Sequence, residues 1–335
     1  MTQPDLRRLI NGYQISQALH VTAVLGIADL LADGARTSDE LAEANDTHAA
    51  TLYRLLRALA SIGVFEEADG KRFALTPLGD GLRSDAPGSL AGWAAFVGRP
   101  SSWQAWGALL YSVQTGETAF AHVHGADVWE YRARNPDDQG AFDRAMIALT
   151  GHVNGALLEA YDFARFGTVV DVGGGHGALL TALLLEHPEM RGVLFDQPHV
   201  VAAAEHPIAA AGMADRCSLV GGSFFDGVPG GGDAYVLKSI LHDWDDEHAL
   251  AILRSCCEAM AVRAAVLVVE RVLGPANEAP DAKFSDLTML VAQGGRERSV
   301  DEFAALFAAA GLRLERTVPS ASPFSVLEAS PGASQ

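Results

Sequence analysis

The chain is short of cysteines, short of cations and free of long apolar runs, and each shortage removes a class of protein. Cysteine occurs 3 times in 335 residues, at Cys217, Cys256 and Cys257. They show no C-x-x-C spacing and no even set, so neither a disulfide scaffold nor a thiolate metal site is expected. They read as buried apolar filler in a reduced, cytoplasmic protein. Lys and Arg total 24 against 42 Asp and Glu, for a formal charge of −18. Nucleic-acid binding depends on Lys and Arg displacing counterions from phosphates, so this balance argues against it and suits a cationic ligand instead. No apolar stretch is long enough to span a bilayer, and MTQPDLRRLINGYQ lacks the apolar run of a signal peptide, so no membrane partner is expected. Apolar residues at 49% and charged residues at 20% are globular composition, and the length asks for more than one core.

What is present falls into three stretches. In residues 1–90, Thr37 followed three places later by Glu40 opens TSDELAEA as a capping box, Thr47 stands where it can cap HAATLYRLLRALASI, and Gly63 stops that helix. VFEEADGKRFAL then puts Asp69-Gly70 between two short strands, as in a type I′ turn. Helix, turn, helix and two-stranded wing is a winged-helix order. Its second helix offers chiefly Arg54 and Arg57 as cations, so packing or dimerisation is favoured over DNA readout. LRRLINGYQISQALHVTAVLGIADLL has an apolar side larger than a small module can bury, which suits a homodimer.

Residues 91–160 read as linking helices carrying Trp93, Trp103, Trp106 and Trp129. Such rings serve a core more often than a ligand wall, yet beside a domain junction they can enclose a flat aromatic substrate. From 161 to 335, TVVDVG, GVLFD, SLVGG, AYVLKS, AAVLVVER, LRLERTV and SVLEAS alternate with helices. That pattern predicts an α/β fold with a parallel twisted sheet, helices on both faces and ligands at the carboxyl ends of the strands. The tail SPGASQ reads as frayed.

VVDVGGGHGALL is a strand that breaks into Gly173, Gly174, Gly175 and Gly177 and re-forms as a helix. Gly173-x-Gly175-x-x-Ala178, with Asp196 in LFDQPHV about 20 residues on, satisfies the dinucleotide fingerprint and makes a nicotinamide enzyme one reading. The same letters also read Asp171-x-Gly173-x-Gly175-x-Gly177, the loop of class I S-adenosylmethionine methyltransferases. In SILHDWDDEHAL, a buried strand ends and an amphipathic helix begins, so His242 stands in the crossing on the ligand side. Asp245 and Asp246 suit a helix cap and its dipole, and His248 belongs to a wet first turn. A helix start aims these groups in different directions, so no metal is expected there.

DVGGGHG, FDQPHV, GGSFF, LKSILHDWDDEHAL, VVER and GGRERS, in this order behind a winged helix, resemble the O-methyltransferase family of plant caffeate- and isoflavone-type enzymes and their bacterial natural-product relatives. The resemblance covers essentially the whole chain. It implies a Rossmann-like class I methyltransferase sheet behind a winged-helix dimerisation domain, a homodimer, and S-adenosylmethionine as cofactor. Gly173 and Gly175 would line the methionine end, Asp196 would hold the ribose, Ser223 and Phe224 would lie by the adenine, and Lys238 near the ribose or the methionine part. Many members carry an acid where this chain has Ser223; a hydroxyl can still accept a hydrogen bond. His242 takes the place of the family's catalytic base, bracketed by Glu270 and Glu297 with Asp243 assisting. Met146 and Met289 match positions that clamp an aromatic ring, with core filling as their competing role.

Chemistry narrows the acceptor. An imidazole at about 6.5 facing a phenol at about 10 makes full proton transfer roughly 5 kcal/mol uphill, and roughly 12 kcal/mol from a hydroxyl as weak as water. A phenolic small molecule of secondary metabolism is therefore expected. A neighbouring carboxylate would help by raising the imidazole pKa. Besides the dehydrogenase, two rivals stand: a non-enzymatic ligand-sensing regulator built on the winged helix, and a family member that keeps the cofactor for other chemistry.

Overall fold

The computed structural model describes residues 3–332. The chain divides into two compact units, Met1–Ala108 with Val123–Gly151, and Leu109–His122 with His152–Gln335.

The first unit begins with three helices, Gln3–Ile10, Gly12–Val24 and Ile27–Leu30. The apolar run is interrupted at Asn11 and at Gly26, whose φ of +60° a side chain would resist. Strand β1, Arg36–Thr37, leads into the helix Ser38–Ala44, whose capping box forms as the spacing requires: Thr37 Oγ1 accepts from Glu40 N and Glu40 accepts from Thr37 N. Thr47 does not cap the next helix. His48 is the N-cap of Ala49–Ala60, without a side-chain bond, because the chain turns through Asp46 at φ +50° and ties Thr47 N back to Ala42 O. β2, Phe65–Ala68, and β3, Arg72–Leu75, form the hairpin. Its turn sits one residue later than Asp69-Gly70: the left-handed residues are Gly70 and Lys71. β1 pairs with β3, so the wing has three strands, ordered β1-β3-β2. Ile27, Leu41, Leu56, Leu59, Phe65 and Phe73 close a core of their own. Leu6, Leu9, Ile10, Tyr13 and Val24 remain more than half exposed.

All seven runs predicted after residue 165 are strands: β4 Thr168–Val172, β5 Arg191–Asp196, β6 Cys217–Gly221, β7 Ala234–Lys238, β8 Ala265–Arg271, β9 Leu312–Pro319 and β10 Phe324–Pro331. Their order is β6-β5-β4-β7-β8-β10-β9. The sheet is mixed rather than parallel throughout. β6, β5, β4, β7 and β8 run parallel, but β10 is antiparallel to both β8 and β9. Only residues 320–323 join β9 to β10, too few for the crossover that parallel pairing needs. Of the tail, Ser330 and Pro331 still belong to β10, and residues 333–335 lie outside the described residues.

Both faces of the sheet are covered, and alternate residues serve opposite layers. On β7, Val236 belongs to one core while Tyr235 and Leu237 belong to the other, all fully buried. Each such side chain contributes about 1.5–3 kcal/mol relative to exposure. The result is a rigid β4-β7-β8 centre whose carboxyl ends carry the polar residues. No helix among the described residues is long and apolar enough to cross a membrane.

Candidate active site

At the end of β4 the glycine loop closes on itself. Gly173 and Gly174 N–H donate to Phe195 O at 2.7 and 3.3 Å, Gly175 N–H to Asp196 Oδ2 at 2.8 Å, and Gly177 N–H to Gly174 O at 2.9 Å. None of these four donors is left to cradle a pyrophosphate, and that geometry tells against the dinucleotide reading. Gly173, at φ +71°, stands where a side chain would be strained, and a Cβ there would lie 2.4 Å from Ile240 Cδ1 and push that side chain aside. Gly175, at φ +57°, has open space where a Cβ would point. Close backbone approach from that side is therefore free.

Around this loop stand the groups that an adenosine-bearing sulfonium requires. Asp196 ends β5 with Oδ1 accepting from Gln197 N and Oδ2 from Gly175 N, a carboxylate anchored beside the glycine loop. Past β6, Ser223 Oγ accepts from Phe225 N, and the Phe224 ring packs edge-on to Phe225 and Trp244. Lys238 ends β7. Burial lowers its ammonium pKa against the pull of Asp171 and Glu270. Asp171 is buried on β4 with Oδ2 lacking any hydrogen-bond partner, and burial pushes its carboxyl up to about 7. Acids, an aromatic ring and an open backbone fit S-adenosylmethionine, which carries a positive charge and a ribose diol but no phosphate.

The second half of the site grows out of β7 and β8. After Lys238 the strand breaks at Ser239, in the left-handed region at φ +56°, and a 3-10 turn, Leu241–Asp243, presents His242. The break is held by Glu270 from β8, whose Oε1 accepts Ile240 N–H at 2.9 Å. The imidazole is buried, and its Nδ1 lies 3.1 Å from Glu297 Oε1 and 3.3 Å from Glu270 Oε2. Only the Glu297 contact has hydrogen-bond geometry; Glu270 Oε2 acts through its charge. Ser285 Oγ donates to Glu297 Oε1 at 2.7 Å, and Glu297 N–H donates to Asp286, which locks that carboxylate in place. Asp243 Oδ1 stands 3.6 Å from Nε2.

Burial alone would lower the His242 pKa. The charges of Glu270, Asp243 and Glu297 outweigh it and push the ring up to about 10. Two carboxylates share that one cation. Burial leaves Glu270 pushed up to about 7, while the His242 hydrogen bond, its charge and Ser285 overcome burial at Glu297 and hold it below the usual range. Glu297 is the ionised partner. His242, Glu270 and Glu297 are also the one group among the described residues whose ligand atoms converge enough to hold a metal ion, within 4.8 Å of one another. That group is distinct from the run of acids after His242, which does cap a helix: Asp245 accepts His248 N–H at 2.9 Å, and His248 is half-exposed.

The structure thus brings together His242, Asp243, Glu270 and Glu297, and separately gathers Gly173, Gly175, Asp196, Ser223, Phe224 and Lys238 at the ends of β4 to β7. Met289 is buried on the helix Pro280–Ala292, which also carries Ser285. Met146 lies in the first unit, half-buried on Phe96, Ala141 and Ala145 beside Trp93 and Phe142. Two residues escaped the sequence. Arg132 is buried with its guanidinium 3.7 Å from the Phe142 ring centroid. Arg298 is buried behind the His242 turn, and only the GGRERS motif as a whole pointed near it.

Comparison with known proteins agrees with this geometry. The model of the O-methyltransferase domain matches residues 106–313, and that of the O-methyltransferase dimerisation domain residues 7–85. Phenazine O-methyltransferase PhzM of Lysobacter antibioticus is 47% identical over 97% of this chain and 95% of its own length. The solved structure of LaPhzM superposes with a TM-score of 0.94 at 46% identity, covering 98% of each chain. NcsB1, an O-methyltransferase from neocarzinostatin biosynthesis solved with S-adenosylmethionine and 2-hydroxy-5-methyl naphthoic acid, gives a TM-score of 0.80 at 36% identity, over 95% of this chain and 96% of that one. A Rossmann-like methyltransferase sheet behind a helical dimerisation domain, with strand ends fitted to a sulfonium nucleoside, places the chain in the S-adenosylmethionine-dependent O-methyltransferase family, to which it belongs.

Proposed function

We propose that this enzyme methylates a phenolic hydroxyl of a small aromatic natural product and that His242 removes the hydroxyl proton. One observation carries the reading: Nδ1 is hydrogen-bonded to buried Glu297 with the Glu270 charge beside it, while Nε2 faces Asp243 Oδ1 at 3.6 Å, beyond hydrogen-bond reach, so Nε2 is the nitrogen left for an incoming proton. S-adenosylmethionine supplies a methyl group on a sulfonium that leaves without acid assistance. What remains for the chain is alignment and one proton. Gly173 and Gly175 take the methionine end, Asp196 the ribose, Ser223 and Phe224 the adenine, and Lys238 the ribose or methionine part. Met289, buried on the helix that also carries Ser285, is assigned to the acceptor ring.

The electrostatics favour a phenol. With the ring pushed up to about 10, proton transfer from a phenol is nearly level, where an ordinary imidazole leaves it roughly 5 kcal/mol uphill. A hydroxyl as weak as water stays roughly 8 kcal/mol uphill even so. The phenazine and naphthoic acid relatives support an aromatic acceptor. The exposed apolar side chains of the amino-terminal helices support a homodimer, and three free cysteines support a reducing, cytoplasmic setting.

The test offers labelled S-adenosylmethionine with matched pairs of acceptors, each a phenol and its hydroxymethyl counterpart. Label should pass to the phenols and not to the alcohols. Equal transfer to both members of a pair would reject the phenol assignment.

A further inference from the structure

Arg298 is a charged side chain that is only 1% exposed, and the proton chemistry above makes no use of it. A buried guanidinium is costly unless its donors are matched. Here they are matched to the backbone of one turn. Nη1 donates to Leu241 O at 2.8 Å and Nη2 to Trp244 O at 2.9 Å, the carbonyls on either side of His242 and Asp243. Nε and Nη2 both reach Asp246 Oδ1, at 3.0 and 2.8 Å, on the first residue of the helix that follows. The Arg298 backbone is fixed in turn, since its carbonyl accepts Leu273 N–H at 3.0 Å on the extension of β8. Glu297, one residue before it, holds the His242 ring itself.

Gly295 points the same way independently. A Cβ there would lie 2.1 Å from His242 O, 2.4 Å from Asp243 C and 2.5 Å from Trp244 N. The segment from Gly295 to Arg298 is therefore seated directly on the His242 turn.

We propose that Arg298, with Gly295 beside it, is the positioning residue that clasps both ends of the Leu241–Trp244 turn and so sets where the His242 ring stands between Glu270 and Glu297. The proposal rests on His242 being the base. Arg298 touches no reacting atom; it acts through the turn. A lysine at 298 keeps the charge but replaces three nitrogens set in a planar fork by one, so it does not reproduce the spread that spans Leu241 O, Trp244 O and Asp246.

The experiment measures Arg298→Lys for turnover, for S-adenosylhomocysteine affinity and for the His242 imidazole titration by NMR. The clasp predicts turnover down about 10–100-fold, as for a misplacement of roughly 1 Å. Affinity should stay within about twofold, because the glycine loop is untouched, and the His242 midpoint should fall as the ring leaves its carboxylates. Turnover within about twofold of wild type would overturn the proposal, and so would a turnover loss with the His242 midpoint unmoved. Should Arg298→Lys not fold, Gly295→Ala displaces the same turn with the arginine in place, and the same two readouts decide. His242→Ala separates the two claims. If that variant turns over normally, the base assignment fails, while the clasp is still judged by the titration in Arg298→Lys.

Discussion

Asp171 and Glu270 stand at matching places on either side of β7, each one residue from the end of its strand, on β4 and β8. Both are buried, and burial pushes both up to about 7. Asp171 faces the Lys238 ammonium and lies under the glycine loop, where a Cβ on Gly174 would come within 2.6 Å of its Cγ. Glu270 faces an imidazole and accepts two backbone N–H groups of the turn that carries it. The partner decides the role. Beside a lysine, a strand-end acid sits in the field of an ammonium whose pKa burial lowers; beside a histidine, proposed here as the base, the same acid raises the pKa of the group that would take the proton.

That contrast is broken most severely at His242 itself. His242→Ala should lower turnover by about 10²–10⁴, with S-adenosylhomocysteine affinity unchanged in calorimetry. A smaller loss, read on the alkaline plateau where the ring is unprotonated, is expected from Glu270→Gln or Glu297→Gln: each pKa unit that His242 loses removes up to about tenfold of basicity there. The sign is fixed. A raised imidazole is protonated at neutral pH, so wild-type turnover should climb as pH approaches about 10. Removing either acid should move that limb to lower pH. The matching change on the other side, Asp171→Asn, should leave the limb where it is.

The Asp171 change should appear in stability instead. A carboxyl near 3.9 unfolded and at about 7 folded stabilises the protein when protonated. That contribution is fully present below the unfolded value and is lost as pH rises through about 7. The stability of Asp171→Asn relative to wild type should therefore rise between about pH 4 and 7 and then level off, by a few kcal/mol at most in urea titrations across pH. The smallest effect concerns the converging ligand atoms of His242, Glu270 and Glu297. If they serve a proton, as proposed, prolonged chelation should change turnover by less than about twofold.

Legibility in the sequence followed the range of the interaction. All seven strands after residue 165 were visible because period-two apolar runs between turn residues are local signals, and so was the Thr37–Glu40 capping box. Thr47 failed because Asp46 in the left-handed region delays the helix by one residue, and a propensity for capping contains no such backbone angle. The antiparallel edge was readable in principle from the four residues joining β9 to β10, had link length been weighed against strand direction. Asp196 and His242 were placed from local motif and strand ends, Lys238 from the family resemblance. Glu270 and Glu297 lie 28 and 55 positions from His242; a strand end and a loop made them candidates, and only the family resemblance set them against the imidazole. Arg298 reaches Leu241 across 57 positions with its partners chiefly main-chain carbonyls, which any residue supplies, so no letter in the sequence marks the contact.

The proton is the centre of the account, and an acceptor that has already lost it provides the sharpest measurement. Wild type and His242→Ala would be compared on two phenols of similar shape, one near the ordinary pKa of about 10 and one made acidic enough to be ionised at the assay pH. If His242 removes the proton, the penalty for its loss should shrink by at least about tenfold on the ionised phenol. An equal penalty on both would contradict the account, because the imidazole would then be needed for something other than the proton.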